Sequence, residues 1–312
     1  ANDYNPVAVL ILKATLEYPQ KYGRPFKGMP IEQRGAPASQ DGKINWEISP
    51  DKDYNPLLVA VKRWGGWVLK EAQKELSRFY PPADPDETVV GYLWARTLPC
   101  QNPACGAEIP LMRQFWLAKK KDRAIALYPV VRDGQVAFKI VARGKKAVGA
   151  HDGAPYAPWP EGFDPTRGTV SRAVVTCPVC GATLAANDTR RLFRDGHAGQ
   201  RMVAVVTTRQ GQRGKFYRLP TAADLAAYAA VEQALAEKRA RLMGAWGMAP
   251  VPDEPCPPRG TLGFRIQGYG LTAWSDLFNT RQQLALLTFA EQVRRAHPEM
   301  LAQGYPEDFA RA

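Results

Sequence analysis

Cysteine and histidine are scarce in this 312-residue chain, which has five of the first and three of the second. So few cysteines exclude a secreted scaffold held by many disulfides, and a reducing cytoplasm is the simplest compartment. Long apolar runs are missing as well. No stretch approaches the roughly 20 residues needed to cross a bilayer, so no membrane contact is expected. The opening segment from Ala1 to Lys13 lacks the basic start and cleavage site of a secretory leader. It also has no initiator Met, begins abruptly on Ala-Asn-Asp-Tyr-Asn-Pro, and reads as cut from something longer. What remains is ordinary globular material, 45% hydrophobic and 23% charged. Its length suits one large domain or two to three smaller ones.

An excess of acidic residues is also lacking; the formal net charge is +12. The positive charge is focused. From Arg113 to Lys146 ten Lys/Arg face only Asp122 and Asp133, and from Arg190 to Arg218 eight face Asp195 alone. Such focusing suits a polyanion such as nucleic acid. A solvated β-rich surface accounts for the same charge equally well.

Asn5-Pro6 followed by Val7, Leu10, Ile11 and Ala14 reads as a capped helix start. Gly23 to Pro50 reads as a long loop. Asp53-Tyr54-Asn55-Pro56 then repeats the first tetrapeptide and opens a longer helix, with Leu57, Val61, Trp64, Val68, Ala72, Leu76 and Phe79 as its buried stripe. Gly65-Gly66 weakens that helix and leaves room for another backbone. After Pro81-Pro82, short β-type runs follow at Thr88–Trp94, Ala124–Val131, Gln135–Val141, Val170–Thr176, Met202–Thr208 and Lys215–Leu219. Gly, Asp and Pro separate them, as in a small antiparallel sheet. Thr221-Ala-Ala-Asp224 reads as a capping box for a helix to about Met243, with Leu225, Tyr228, Val231 and Leu235 as its stripe. Ala249 to Gly260 is a proline-rich linker, and a last helix is expected from Arg281 to Arg295, capped by Thr280 with Gln283 reaching back.

Four cysteines fall in two pairs, Cys100-Gln-Asn-Pro-Ala-Cys105-Gly and Cys177-Pro-Val-Cys180-Gly. Each pair is a tight turn with glycine just after the second cysteine, whose φ freedom lets amides turn toward the sulfurs. Two such turns supply a closed four-sulfur shell, which suits structural rather than catalytic zinc. The 71 residues between Cys105 and Cys177 leave space for a β insertion. Four unrelated buried cysteines, or two redox dithiols, are the competing explanations. Cys256 reads as a bystander between prolines, and His151, His197 and His297 as surface residues.

Several stretches resemble one family. They are Asp3-Tyr-Asn-Pro-Val-Ala-Val-Leu-Ile, Tyr92-Leu-Trp-Ala-Arg-Thr-Leu-Pro-Cys100, Asn102-Pro-Ala-Cys-Gly-Ala107 and Leu111-Met-Arg-Gln-Phe-Trp-Leu117. The second cysteine pair, Gly270-Leu-Thr-Ala-Trp-Ser-Asp-Leu-Phe278 and Thr280-Arg-Gln-Gln-Leu284 complete the set. In this order they resemble the central part of the large zinc-ribbon-containing adenine-specific DNA methyltransferases of bacteria and archaea, many of which carry an N-terminal domain of unknown function.

The resemblance implies an α/β fold: part of a Rossmann-like class I methyltransferase domain with an inserted β-rich zinc-ribbon module. It implies a partial methyltransferase domain at 1–95, the zinc-ribbon insertion at 96–220, a helix and linker at 221–260, and a return segment at 261–312. The implied activity is transfer of a methyl group from S-adenosylmethionine to adenine N6 in DNA, within a restriction-modification or phage-defence system. Asp3 would accept hydrogen bonds from the ribose of that cofactor, and Tyr4 would border its adenine. Asp53 and Tyr54 carry the same letters, and position within the family pattern favours Asp3. Double-stranded DNA is the expected partner, through phosphate contacts from Arg113, Lys119, Lys120, Lys121, Lys145, Arg190, Arg191 and Arg194. The glycine-rich cofactor loop and the Asp-Pro-Pro-Tyr motif of the family are missing; Tyr80-Pro81-Pro82-Ala83 and Cys256-Pro257-Pro258-Arg259 do not replace the latter. A flipped adenine needs an acceptor and a stacking aromatic that cannot be assigned, so no catalytic residue is expected and the chain should not transfer methyl groups alone. The alternatives are a non-enzymatic zinc-ribbon nucleic-acid-binding module and a surface for docking other subunits of a defence or modification system.

Overall fold

A computed structural model of the chain describes residues 6–24, 55–82, 84–145 and 155–312. It is a mixed α/β structure that divides into two compact units, Ala1–Ser77 with Leu284–Ala312, and Arg78–Gln283.

The first unit is helical. Helices α1 (Pro6–Leu12) and α2 (Tyr18–Tyr22) are joined by a π-helical turn, Lys13–Glu17. The cap Asn5 lies outside the described residues. Helix α3 (Pro56–Leu76) starts as its sequence requires: Asn55 Oδ1 accepts from the Leu58 amide at 3.0 Å, and Pro56 occupies the first turn, where its missing N–H is no loss. Its buried stripe differs from the expectation by one position. Ala60, Trp64, Ala72 and Leu76 are buried at four-residue spacing, whereas Val61 is exposed, because it stands about 100° around the helix from Ala60. The helix runs through Gly65 and Gly66, and a Cβ at either would meet nothing within 4 Å among the described residues, so no backbone approaches there. Tyr22, Ala60 and Trp64 share a core with Ala296 and Met300 of α6 (Thr280–Ala302), with Tyr305, and with Phe309 of α7 (Glu307–Arg311).

The second unit is built on antiparallel sheets. β1 (Glu87–Pro99), β2 (Glu108–Leu111), β10 (Gly199–Arg209) and β11 (Phe216–Arg218) form one sheet in the order β11-β10-β1-β2. β3 (Trp116–Lys120), β4 (Arg123–Arg132), β5 (Gln135–Arg143) and β6 (Ala157–Pro158) form a second in sequence order. Only the short β5–β6 pairing is parallel among the described strands. A small third sheet holds β7 (Val170–Ser171), β8 (Val174–Thr176) and β9 (Thr183–Leu184). The continuous run expected at Val170–Thr176 is therefore split, because Arg172 and Ala173 adopt positive φ of 49° and 69° and turn the chain back.

Alternation decides which side of each strand is buried. Ile125 and Leu127 of β4 and Val136, Phe138 and Ile140 of β5 enter the main core with Ala95 of β1 and Val203, Ala204 and Val206 of β10. Helices α4 (Ala186–Arg194) and α5 (Ala222–Trp246) complete the unit. The capping box at α5 is present, with Asp224 N–H donating to Thr221 Oγ1 and Thr221 N–H to Asp224 Oδ2. Along α5, Val231 and Leu235 are buried as expected, but Leu225 is exposed and Leu242 closes the stripe instead. The box of α6 sits one residue earlier than expected: Asn279 and Gln282 exchange bonds at 2.9 Å, while Gln283 donates to the Ser275 and Phe278 carbonyls. Arg281, in the first turn of α6, is buried among Tyr80, Tyr92, Trp94 and Tyr228 and donates to the Phe79 carbonyl at 3.1 Å. Among the described residues, no helix is long and apolar enough to cross a membrane.

Candidate metal centre

β1 runs directly into the first cysteine turn, and β8 into the second. Both turns close with the same bond. The Cys100 amide donates to the Ala107 carbonyl and the Cys177 amide to the Ala182 carbonyl, each at 2.8 Å. Gly106 and Gly181 follow the second cysteines at φ 58° and 74°, the left-handed conformation that glycine adopts without steric cost. The first turn holds two more residues than the second, and Asn102 absorbs them. Its carbonyl accepts from the Cys105 and Gly106 amides, and its Oδ1 accepts from the Ala104 amide at 3.1 Å.

The ligand atoms of Cys100, Cys105, Cys177 and Cys180 all lie within 4.8 Å of one another, close enough to bind one metal ion. Cys100 Sγ is 3.7 Å from Cys180 Sγ, and Cys105 Sγ is 3.9 Å from Cys177 Sγ. Tetrahedral zinc with bonds of about 2.3 Å places its sulfurs about 3.8 Å apart, and these two pairs match that spacing. The amides of Asn102, Ala107 and Ala182 hydrogen-bond the sulfurs of Cys100, Cys105 and Cys180, which favours thiolates. Burial pushes the Cys100 thiol up to about 12, whereas the Ala182 amide draws the exposed Cys180 thiol down to about 7. At Cys105 the Ala107 amide lowers the pKa, and burial with the neighbouring thiols outweighs it for a net rise.

Around the sulfurs lies an apolar shell of Leu98, Ala107, Ile109, Val175, Leu184 and Leu192. It covers Cys100 and Cys177, while Cys105 is half-buried and Cys180 exposed, and four protein ligands would fill a tetrahedral ion and leave no position for a substrate. Cys256 is buried elsewhere, bonded to the Thr272 carbonyl through its amide. His197 is exposed, His297 is half-buried on α6, and His151 lies outside the described residues. Asp3 and Tyr4, expected at the cofactor, also lie outside them, as do Asp53 and Tyr54.

The expected nucleic-acid contacts fall into two groups. Lys119 and Lys120 end β3, Lys121 lies in the following turn, and Lys145 follows β5; all four are exposed. Pairing of Ala124 with both Lys119 and Arg143 brings the ends of β3 and β5 together. The β10–β11 loop joins them, because Arg123 donates to the Lys215 carbonyl; exposed Arg213 and Lys215 therefore belong to this group and were not singled out from the sequence. The second group is on α4, whose Leu192 and Phe193 pack against the shell of the cysteines. There Arg190 donates to Asn187, Arg191 lies 3.6 Å from both Asp188 and Asp195, and Arg194 is exposed. Arg113 is exposed in the β2–β3 loop. The Glu108 amide, beside the first cysteine turn, donates to Gln135 at the other end of the β4–β5 hairpin. The lysine cluster and the metal end are therefore separated along β4, whose ten residues span about 33 Å.

Compared with known protein families, curated proteins and solved structures, the chain matches none.

Proposed function

We propose that this chain is a zinc-stapled nucleic-acid-binding part of a DNA adenine-N6 methyltransferase. The observation that carries the binding module is the closed four-thiol group, with exposed cations on α4 beside it and at the far end of β4–β5. Cys100, Cys105, Cys177 and Cys180 would hold zinc in a structural role, fastening β1–β2 to β8–β9. Lys119, Lys120, Lys121 and Lys145, with Arg213 and Lys215, would contact phosphates at one end, and Arg190 and Arg194 at the other. Such contacts orient a duplex without reading its sequence.

The methyltransferase assignment, including a Rossmann-like cofactor domain and the cytoplasmic setting, rests on the sequence resemblance. S-adenosylmethionine would supply the methyl group, with Asp3 and Tyr4 at its ribose and adenine. A second reading, a non-enzymatic nucleic-acid-binding module, rests on the same four thiols and exposed cations and needs no cofactor.

Elemental analysis, calorimetric titration with S-adenosylmethionine, and duplex binding across a salt series test these parts separately. One zinc per chain and a steep salt slope are expected. Replacing Lys119, Lys120 and Lys121 by Glu should weaken all duplexes alike and reduce the slope by about one per lysine. No metal, or no salt dependence, would overturn the binding module. Cofactor binding by this chain would favour the enzyme over the second reading.

A further inference from the structure

The outer face of the second sheet has a composition unlike the rest of the unit. Its four strands contain no Asp or Glu, and register places Lys119, Arg132, Lys139 and Arg143 on this face while Lys120 and Arg123 stand on the other. Register sorts the side chains. Lys119, Ala124 and Arg143 stand in one row on the side away from the main core, Trp116, Ala126, Val141 and Ala157 in the next, and Tyr128 and Lys139 in a third. Rings from β3, β4 and the segment after β6 pack together, with Phe163 also reaching Phe115 of the main core. Trp116 and Trp159 approach to 5.4 Å between centroids, Trp159 and Phe163 to 5.5 Å, and Phe163 and Tyr128 to 4.9 Å. Cations lie against this ring layer: the Arg143 guanidinium is 4.4 Å from the Trp159 centroid and Lys119 Nζ is 5.7 Å from that of Trp116.

All four rings are only partly covered, while the Lys119, Lys139 and Arg143 side chains are exposed. Glu161 and Asp164 lie on the strap after β6, and Asp164 is engaged by Thr166 and Arg167. Duplex DNA hides the faces of its bases, so a layer of aromatic rings adds nothing to its binding. Unpaired nucleotides present both what the rings and what the cations complement: flat faces for stacking and a phosphate every step for charge.

We propose that this face, with Trp116, Trp159, Tyr128, Lys139 and Arg143, is a stacking platform for single-stranded nucleic acid. The platform rests on the nucleic-acid reading above and specifies an unpaired strand as what the β3–β6 sheet receives.

The test uses the full chain with fluorescein-labelled dT20 and, separately, a labelled 20-base-pair duplex at one salt concentration. Unlabelled dT20 should quench tryptophan fluorescence of the unaltered protein. Trp159→Ala and Trp116→Ala should each weaken dT20 about tenfold or more, the range expected for loss of one base stack, and leave duplex affinity within about twofold. Lys139→Glu alters only an exposed side chain, so it tests the face even where a tryptophan variant fails to fold and loses its metal. It should weaken dT20 severalfold. No quenching, or unchanged dT20 affinity in Lys139→Glu and a folded tryptophan variant while duplex binding persists, would overturn the platform and leave the nucleic-acid reading standing. Failure of the unaltered chain to bind either oligonucleotide would remove both.

Discussion

Strand β1 begins at Glu87, inside a buried ion group, and ends at Pro99, one residue before the first thiol of the metal centre. At its start, Glu87 Oε1 accepts from Arg218 Nε at 2.9 Å, and Arg218 reaches Asp224 through both Nη1 and Nη2. At its end, four sulfurs from two turns converge within 4.8 Å. Both ends join distant segments: 131 positions separate Glu87 from Arg218 and 80 separate Cys100 from Cys180. The difference lies in what holds when one member is removed. An ion group leaves charges buried, whereas a metal site loses its ion and the ordering that the ion supplies.

The largest effect is therefore expected at the metal end. Cys177→Ser should bring metal content from one ion per chain to none, since structural zinc sites carry about 10–16 kcal/mol of apparent binding free energy. Hydrogen exchange should quicken first in β8, β9 and α4, whose side chains line the site. Retained metal in that variant would end the structural-zinc reading. Next comes Arg218→Leu, which removes the buried cation shared by Glu87 and Asp224 and should cost about 3–5 kcal/mol in denaturant unfolding. Its metal content should stay at one; loss of metal would mean that the two ends of β1 are not independent.

Acid should separate them further. At Asp224, burial opposes the charge, yet the Arg218 and Thr221 hydrogen bonds prevail and hold the carboxyl below its ordinary 3.8. A depressed folded-state pKa gives stability that is present above the unfolded value and lost as pH falls through the folded one. Thiolates compete with protons far above that range, so metal release should precede loss of the ion group in a titration followed by elemental analysis and circular dichroism. The smallest effect sharpens the likeness between the two cysteine turns. At Gly106 and Gly181 an added Cβ meets nothing within 4 Å, so only the left-handed backbone opposes alanine. Each substitution should cost about 1–2 kcal/mol, equal for the two turns when measured by competition with a chromophoric chelator. A large inequality would show that the longer first turn is not equivalent to the second.

Most of the metal site was legible because its information is local. Cysteine spacing, the glycine after each pair and the Thr221–Asp224 box act within a few residues, and the structure keeps all of them. Helix α4 escaped notice for the opposite reason. It is nine residues long and six of them are polar, below the length at which a helix is stable by itself, and Leu192 and Phe193 secure it only by packing on the cysteine shell. The displaced cap of α6 has a similar origin. Thr280 Oγ1 bonds the Tyr228 hydroxyl at 3.1 Å, leaving Asn279 to cap.

By itself, then, the sequence determined the four cysteines that cluster, the positions of α3 and α5, the antiparallel strands and the strong positive charge. Each follows from chemistry within one turn or one strand. Only the tertiary structure decided that Asp224 serves a buried arginine as well as a helix end, and that Arg213 and Lys215 join Lys119 to Lys121. It also decided which face Trp116 occupies, since a register shift between Trp116 and Ala118 sets it. Those facts depend on segments brought together across many residues, where closing the chain and filling the core select among pairings that local preference leaves open.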